Sequence, residues 1–426
     1  MDKQNVEKDE KIESSTSISS NDLFTTIYDI SRAIFRHLPI RSVDSCSLVC
    51  QSWAHIARFT KTHRHTIHTL TYPSNLSSST TKCSYDVSDF DTIISSYIND
   101  NLWSLPSLAL VVATNGLDRK GFISSSSSPP PTKNSKRSRS QTRARQAELS
   151  NIPQALIRHL NKSCKILQVA SNGIVVSNDE NQSYEIELDS AMGILLFPQF
   201  PSNVLGIYSF EIPCNTKIPA DMSRSDLHHL LGCVPNDIPI RCVIFFFTQR
   251  QSHSVDCVKK LLEYYPSDVA IIGGFVDKIR YNDRQSQSKQ SLYNTCGIVL
   301  TGEPNHLSIK QIVLESHIDT RETVKNKLKQ LKSIENNQDL SFAIQVSCVA
   351  RGSEFYHEEK NVECSEFRNL FPNTPLIGIF GNGELGHDYS LNDNQTSTQE
   401  RINTKTEIDD IFHAYSTVFS LISLRM

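Results

Sequence analysis

The chain has 426 residues, of which 38% are hydrophobic and 21% charged, and its formal net charge is -3. This length predicts two or three folded units, and the small net charge gives no reason to expect a nucleic-acid partner for the whole chain. The 11 cysteines are scattered and form no CxxC pair, which favours reduced thiols over a disulfide framework. The polar N-terminus lacks the apolar run of a secretory signal, and no apolar stretch approaches the roughly 20 residues of a membrane helix.

Polar segments divide the chain into its predicted parts. Residues 1–20 are charged and serine-rich, so we expect a disordered tail there. Residues 74–82 and 390–407 have the composition of a connector and a loop. Residues 124–147 begin SSSSSPPP and then become basic, which predicts a disordered insert within a folded domain.

The insert carries six basic residues interleaved with serines. A nuclear import signal and a solvated loop without a specific role fit this composition equally well, and a nucleic-acid patch fits it much less well. Phosphorylation of the serines would offset the positive charge. The basic residues are Lys133, Lys136, Arg137, Arg139, Arg143 and Arg145.

Residues 21–70 predict three short helices. The first places four apolar side chains on one face, at Ile27, Ile30, Ile34 and Leu38. Pro39 ends this helix, because proline disfavours helical backbone at the residue before it. The second helix carries Val43, and the third carries Trp53.

Three helices of this size enclose a very small core and are marginally stable without a partner. The side chains of Leu38, Pro39, Val43 and Trp53 are more apolar than such a unit can hide, which indicates a binding surface. An ordinary helical cap on the following domain fits the same pattern equally well.

The order Leu38-Pro39, Ser42-Val43, Val49-Cys50 and Trp53 resembles the F-box family. The resemblance implies an all-α F-box that docks on the Skp-type adaptor of a cullin–RING ubiquitin ligase, with Leu38, Pro39, Val43 and Trp53 as the adaptor-binding residues. The sequence departs from the family at the start, where Asp22-Leu23 replaces the frequent Leu-Pro.

Two strand–helix–strand patterns lie roughly 100 residues apart in the second half of the chain. The first has a strand at 241–248, a helix at 254–265 and a strand at 268–272, and it ends in Gly273-Gly274. The second has a strand at 342–349, a helix at 362–371 and a strand at 375–380, and it ends in Gly381-Asn382-Gly383-Glu384. Each pattern predicts a pair of parallel strands, and their recurrence suggests a duplicated architecture.

Ligands of parallel sheets bind at the carboxyl ends of the strands. The predicted substrate or ligand edge therefore comprises Arg351, Gly352, Gly381, Asn382, Gly383 and Glu384. An arginine and a glutamate beside bare glycine backbone could hold a small zwitterion or a peptide terminus. Alternatively, the glycines only serve turns, and Arg351 and Glu384 pair with each other.

The segments IELDSAMGILLFPQ, IIGGFVDKI, CVARGSEFY and NVECSEFRNLFPNTPLIGIFGNGELG resemble the FIST module, named for F-box and intracellular signal transduction. The resemblance implies an N-terminal FIST module at 83–250, which contains the insert 124–147, and a C-terminal module at 251–426. The predicted fold class is α+β multidomain: a three-helix F-box followed by a mixed α/β region with two related strand–helix–strand units.

These resemblances together imply a non-catalytic substrate-recognition subunit of a Skp–cullin–F-box ligase of the RING type. Such a subunit promotes ubiquitination and proteasomal degradation of its target by holding the target lysines near the conjugating enzyme. The alternative is a sensor of amino-acid-like molecules with a regulatory F-box. We expect no cofactor, no metal site and no membrane partner, since neither a P-loop, a GxSxG motif nor a zinc-ligand spacing occurs. We expect the protein in the cytoplasm and nucleus.

Overall fold

The structure is a computed structural model that divides by contact into two units, Met1–Arg64 and His65–Met426. The described part of the first unit is all α and that of the second mixes helices with three sheets, so the predicted α+β class is confirmed. The predicted tail, connector, basic insert and second polar loop fall almost entirely outside the described residues. The structure describes residues 20–73, 87–115, 156–178, 182–187, 189–213, 216–248, 252–266, 268–282, 293–332, 340–391 and 408–425.

Eight helices have defined bounds in the described parts of the chain. They are α1 (Ser20–Phe35), α2 (Ile40–Cys46), α3 (Gln51–Thr62), α4 (Val87–Asp100), α5 (Arg224–Leu230), α6 (Ser252–Tyr264), α7 (Arg321–Leu328) and α8 (Val362–Leu370). Short 3-10 turns occur at Lys329–Leu331, Val349–Arg351 and Ile408–Asp410. None of the described helices is long and apolar enough to cross a membrane.

The strands all belong to the second unit. They are β1 (His68–Tyr72), β2 (Pro106–Thr114), β3 (Lys165–Ser171), β4 (Gly173–Ser177), β5 (Ser183–Ile186), β6 (Met192–Pro198), β7 (Gly206–Pro213), β8 (Ile240–Phe247), β9 (Ala270–Phe275), β10 (Lys278–Asn282), β11 (Tyr293–Thr301), β12 (Leu307–Leu314), β13 (Leu340–Cys348), β14 (Leu376–Gly381), β15 (Glu384–Leu385), β16 (Tyr389–Leu391), β17 (Phe412–His413) and β18 (Thr417–Leu424).

The three predicted helices of the first unit are present, and α1 ends at Phe35. Leu38 therefore lies beyond the helix and does not continue its apolar stripe, contrary to the prediction. The chain turns here because Pro39 starts α2, and the Leu38 N–H donates to the Phe35 carbonyl at 3.2 Å. Since α3 extends to Thr62 and β1 begins at His68, the predicted F-box boundary at residue 70 lies inside a strand of the second unit.

The second unit contains sheets of five, six and seven strands. Their orders are β1-β6-β2-β3-β10, β17-β15-β9-β8-β11-β7 and β16-β12-β18-β13-β14-β4-β5. Strand β10 extends the first sheet by pairing with β3, while β4 joins the third sheet by pairing with β14. Strands from both sides of the predicted module boundary at residue 250 thus share sheets.

Both predicted strand–helix–strand units are confirmed. Strands β8 and β9 pair in parallel around α6, and strands β13 and β14 pair in parallel around α8. The sequences of these strands are almost entirely apolar, because both faces of each strand pair are covered.

The glycines at the ends of these units differ in role: Gly383 lies in a turn, as the sequence predicted, whereas Gly273 and Gly274 lie within a strand. Gly273 lies within β9, where a Cβ atom would collide with the carbonyl oxygen of Phe245 on β8. Gly383 has a φ of 123°, which favours glycine, and its carbonyl accepts a hydrogen bond from the Phe275 N–H at 3.1 Å. Glu384 pairs with Gly274 across β15 and β9. The ends of the two units therefore bond to each other.

Candidate functional site

Four buried side chains, Phe35, Val43, Ile56 and Ala57, form a hydrophobic cluster in the described part of the first unit. Trp53 packs edge-on against Phe35 with 5.5 Å between ring centroids. Arg64 donates hydrogen bonds to the carbonyls of Leu38, at 2.6 Å, and Phe35. This arginine therefore links the end of α3 to the turn between α1 and α2.

The apolar stripe of α1 faces away from this core. Ile27, Ile30 and Ile34 keep 51%, 55% and 55% of their surface exposed. Leu48 and Val49, in the turn before α3, are 87% and 64% exposed. Five exposed aliphatic side chains on a unit of about 45 residues are typical of a surface that another protein covers.

Of the four predicted adaptor-binding residues, Val43 is buried and the other three are partly buried. Val43 is completely buried, so its side chain supports the surface from beneath and cannot form it. Leu38 and Trp53 are partly buried against the core, and Pro39 is partly buried at the start of α2. The sequence did reveal the stripe of α1, but helical periodicity does not tell which face of a helix is covered.

A buried arginine organises the end of the third sheet in the second unit. Arg351 is fully buried, and all five N–H groups of its guanidinium have acceptors. Nε donates to Glu363 at 2.9 Å; Nη2 donates to the Ile318 carbonyl at 2.8 Å and to the Tyr356 hydroxyl at 2.6 Å. Nη1 donates to the carbonyls of Glu315 and Tyr415. Arg351 has no N–H left for a ligand.

Glu363 is the ion-pair partner of Arg351 and is 1% exposed. Its carboxylate accepts hydrogen bonds from five side chains on three elements and one loop, so the buried charge is fully compensated. Burial raises the pKa of the Tyr356 phenol well above its usual range. The five donors, with distances between 2.7 and 3.2 Å, are Arg351, Tyr356, Gln345, Ser347 and Thr417.

Strand β5 fixes the helix that carries Glu363. Asn361 precedes α8 but makes no side-chain cap; instead, Glu185 accepts a hydrogen bond from the Cys364 N–H at 2.8 Å. In return, the Glu185 N–H donates to Asn361 Oδ1 at 2.8 Å. Burial and the nearby Glu363 carboxylate raise the pKa of Glu185 to about 8. The cap is thus supplied by a residue about 180 positions away in the chain.

Glu384 lies fully buried beside the same strand ends. Its Oε2 accepts hydrogen bonds from the Ser416 hydroxyl at 2.8 Å and from the Ser416 N–H at 3.3 Å, while Oε1 has no N–H or O–H donor within the described residues. Burial raises the pKa of Glu384 to about 7, against the lowering effect of these hydrogen bonds. Burial also raises the pKa of the Cys348 thiol, which makes it a poor nucleophile at neutral pH.

The predicted substrate or ligand edge therefore separates into a buried part and an exposed part. Arg351 and Glu384 are both interior and do not pair with each other, because Glu363 occupies the ion-pair position. Gly352 is buried where a Cβ atom would collide with the Glu187 carboxylate, and Gly381 is the buried last residue of β14. Gly383 is half-buried and Asn382 is exposed. A role in ligand binding stays a prediction for these positions.

Sequence reasoning missed Glu363 and Tyr356, which complete the site. Tyr356 follows Arg351 by five residues, and Glu363 lies near the start of the predicted helix at 362–371. An acidic residue in the first turn of a helix is ordinarily explained by the helix dipole, so its position gave no distinct signal. Within the described residues, no group of three or more His, Cys, Asp or Glu side chains is placed to hold a metal ion.

Comparison with known proteins places these features in context. A model of the F-box domain matches residues 28–65. The chain is 24% identical over 420 residues to F-box only protein 22 of Pongo abelii, covering 96% of each chain. It is 27% identical over 294 residues to F-box only protein 22 of Homo sapiens, covering 67% of this chain and 70% of the relative. The chain thus carries an F-box domain and is similar to F-box only protein 22 along nearly all of its length.

Proposed function

We propose that this protein is the substrate-recognition subunit of a Skp–cullin–F-box ubiquitin ligase and that it promotes the degradation of its targets. The observation that carries the proposal is the exposed aliphatic stripe of α1, within an F-box domain. An F-box docks on a Skp-type adaptor, and the second unit then holds the target. The catalytic gain is proximity, since the chain raises the effective concentration of target lysines near the conjugating enzyme.

The second unit, from His65 onward, is proposed to be a FIST-type region that binds protein targets. Its buried Arg351–Glu363 network supports this in preference to a sensor of small zwitterions, because the arginine has no donor left for a carboxylate. We further propose that the protein acts without a covalent intermediate, in the cytoplasm and nucleus.

Adaptor binding is tested with the full chain and a purified Skp-type adaptor. Burying a whole isoleucine side chain contributes about 1.5–3 kcal/mol, so covering the exposed half of each contributes roughly 1 kcal/mol. We expect the triple variant Ile27→Ser, Ile30→Ser, Ile34→Ser to bind the adaptor about 100-fold more weakly by calorimetry. Because these side chains are exposed, the variant should keep the unfolding midpoint of the parent chain.

The matched control is Asp29→Ser, an exposed position on the same helix but off the apolar stripe. It should leave adaptor affinity unchanged. If the parent chain does not bind the adaptor, or if the triple variant binds as tightly as the parent, the stripe is not the docking surface and the ligase proposal loses its support.

A further inference from the structure

The loops above the Arg351 network hold most of the strained backbone in the described chain. Five non-glycine residues have left-handed φ angles: Cys233, His357, Glu358, Asn361 and Tyr415. Tyr415 is bound through its carbonyl to Arg351, His357 and Glu358 directly follow Tyr356, and Asn361 starts α8. Left-handed backbone outside glycine costs of order 1 kcal/mol or more per residue and clusters at functional sites.

The same loops expose apolar side chains. In the described part of the second unit, three large hydrophobic residues are exposed: Leu105, Val349 and Tyr415. Val349 directly follows β13, and Tyr415 comes two residues before β18. The antiparallel pairing of these strands continues to their level, because the Cys348 N–H donates to the Ser416 carbonyl at 2.9 Å. Tyr415, at 61% exposure, and Val349, at 42%, are thus two exposed apolar residues at neighbouring backbone positions.

The loop that follows Arg351 is acidic. The loop from Ser353 to Lys360 exposes three glutamates against one lysine. Of these, Glu359 pairs with Arg321 at 2.7 Å, whereas Glu354 and Glu358 have no ion pair within the described residues. The Arg351 guanidinium lies 4.5 Å from the ring centroid of the neighbouring Phe355 and also bonds the Tyr415 carbonyl. The Arg351 side chain therefore contacts both the acidic loop and the backbone of Tyr415.

We propose that Val349, Tyr415, Glu354 and Glu358 bind a segment of the target protein in which an apolar side chain is flanked by lysines or arginines. The apolar side chain covers Val349 and Tyr415, and the cations face the two glutamates. The buried network beneath fixes the loops before binding, which lowers the entropy lost on association. This inference rests on the proposed function, because a substrate receptor requires a surface for its target.

The test is a selection from a phage library of random heptapeptides on the full chain, followed by binding measurements with the selected peptides. We expect enriched peptides to combine lysine or arginine with leucine, phenylalanine or tryptophan. The variant Tyr415→Asn removes the aromatic ring while asparagine tolerates the left-handed backbone, so the fold is retained. We expect this variant, and the pair Glu354→Gln with Glu358→Asn, to bind the selected peptides about tenfold more weakly by fluorescence anisotropy.

The matched control is Leu105→Asn, which removes the other exposed apolar side chain and should leave peptide affinity unchanged. The triple serine variant of α1 should also bind the peptides normally, so failure of adaptor binding and failure of peptide binding are distinguishable. The inference is overturned by any of three results: no enrichment over the input library, enrichment of acidic or uncharged peptides, or equal affinity of Tyr415→Asn and the parent chain.

Discussion

The variant Glu363→Gln examines the buried network most directly. Glutamine keeps the shape of the side chain but replaces one accepting oxygen with an NH2 group. That group would face donors that now bond the carboxylate, such as Gln345 Nε2 at 3.1 Å and the Ser347 hydroxyl at 3.2 Å. The positive charge of Arg351, which is fully buried, would lose its counter-ion.

Removing one partner of a buried ion pair typically costs about 3–5 kcal/mol, because the remaining charge is left uncompensated in the interior. A domain is usually stable by about 5–15 kcal/mol, so Glu363→Gln should remove a large part of the stability of the second unit. Replacing both charges, as in Arg351→Met with Glu363→Gln, should cost less than the sum of the two single substitutions. The difference between the free energy lost in the double variant and the sum of the two single losses measures the interaction between Arg351 and Glu363.

The chain has two tryptophans, Trp53 in the first unit and Trp103 in the second. In a Trp53→Phe background, Trp103 fluorescence alone reports the denaturant unfolding of the second unit. The control is Glu322→Gln, an exposed acid on α7, which should change the free energy of unfolding by less than about 0.5 kcal/mol. A loss below about 1 kcal/mol for Glu363→Gln would refute the reasoning, since no uncompensated buried charge could then be present.

Three further predictions concern other parts of the chain. Burial and Glu363 raise the pKa of Glu185 from 4.5 to about 8, so the stability that this group contributes is complete below pH 4.5 and is lost as the pH rises to about 8. Glu185→Gln should make the fall in denaturation midpoints with rising pH smaller but should not remove it, because burial also raises the pKa of Glu384 to about 7. Gly273→Ala forces a Cβ atom against the Phe245 carbonyl and should lower the free energy of unfolding by roughly 1–3 kcal/mol. Val43→Ala leaves a cavity and should lower the free energy of unfolding of the F-box by roughly 1–3 kcal/mol, as followed by Trp53 fluorescence. It should weaken adaptor binding only through this loss of stability.

The two core substitutions each have an exposed control position. Asn382→Ala, exposed beside the end of β14, should be neutral where Gly273→Ala is not. Leu48→Ser, at 87% exposure, should leave F-box stability unchanged where Val43→Ala lowers it. A parent chain whose stability falls no more between roughly pH 5 and pH 8 than that of Glu185→Gln would contradict the raised pKa of Glu185.

The sequence by itself determined the local elements. The spacing of Ile27, Ile30 and Ile34 placed them on one face of a helix, and the apolar runs around 241–248 and 342–349 identified two parallel strand–helix–strand units. These features follow from periodicity and from helix-ending prolines, which act over a few residues. The order of F-box residues could be recognised for the same reason.

Only the tertiary structure decided which faces are covered and which charges meet. The stripe of α1 is exposed because Phe35, one residue beyond it, fills the small core from the opposite side. Arg351 pairs with Glu363 instead of Glu384 because α8, capped by Glu185 from β5, brings that carboxylate to the end of β13. Contacts between residues so far apart in the chain depend on strand order and register, which local periodicity does not encode.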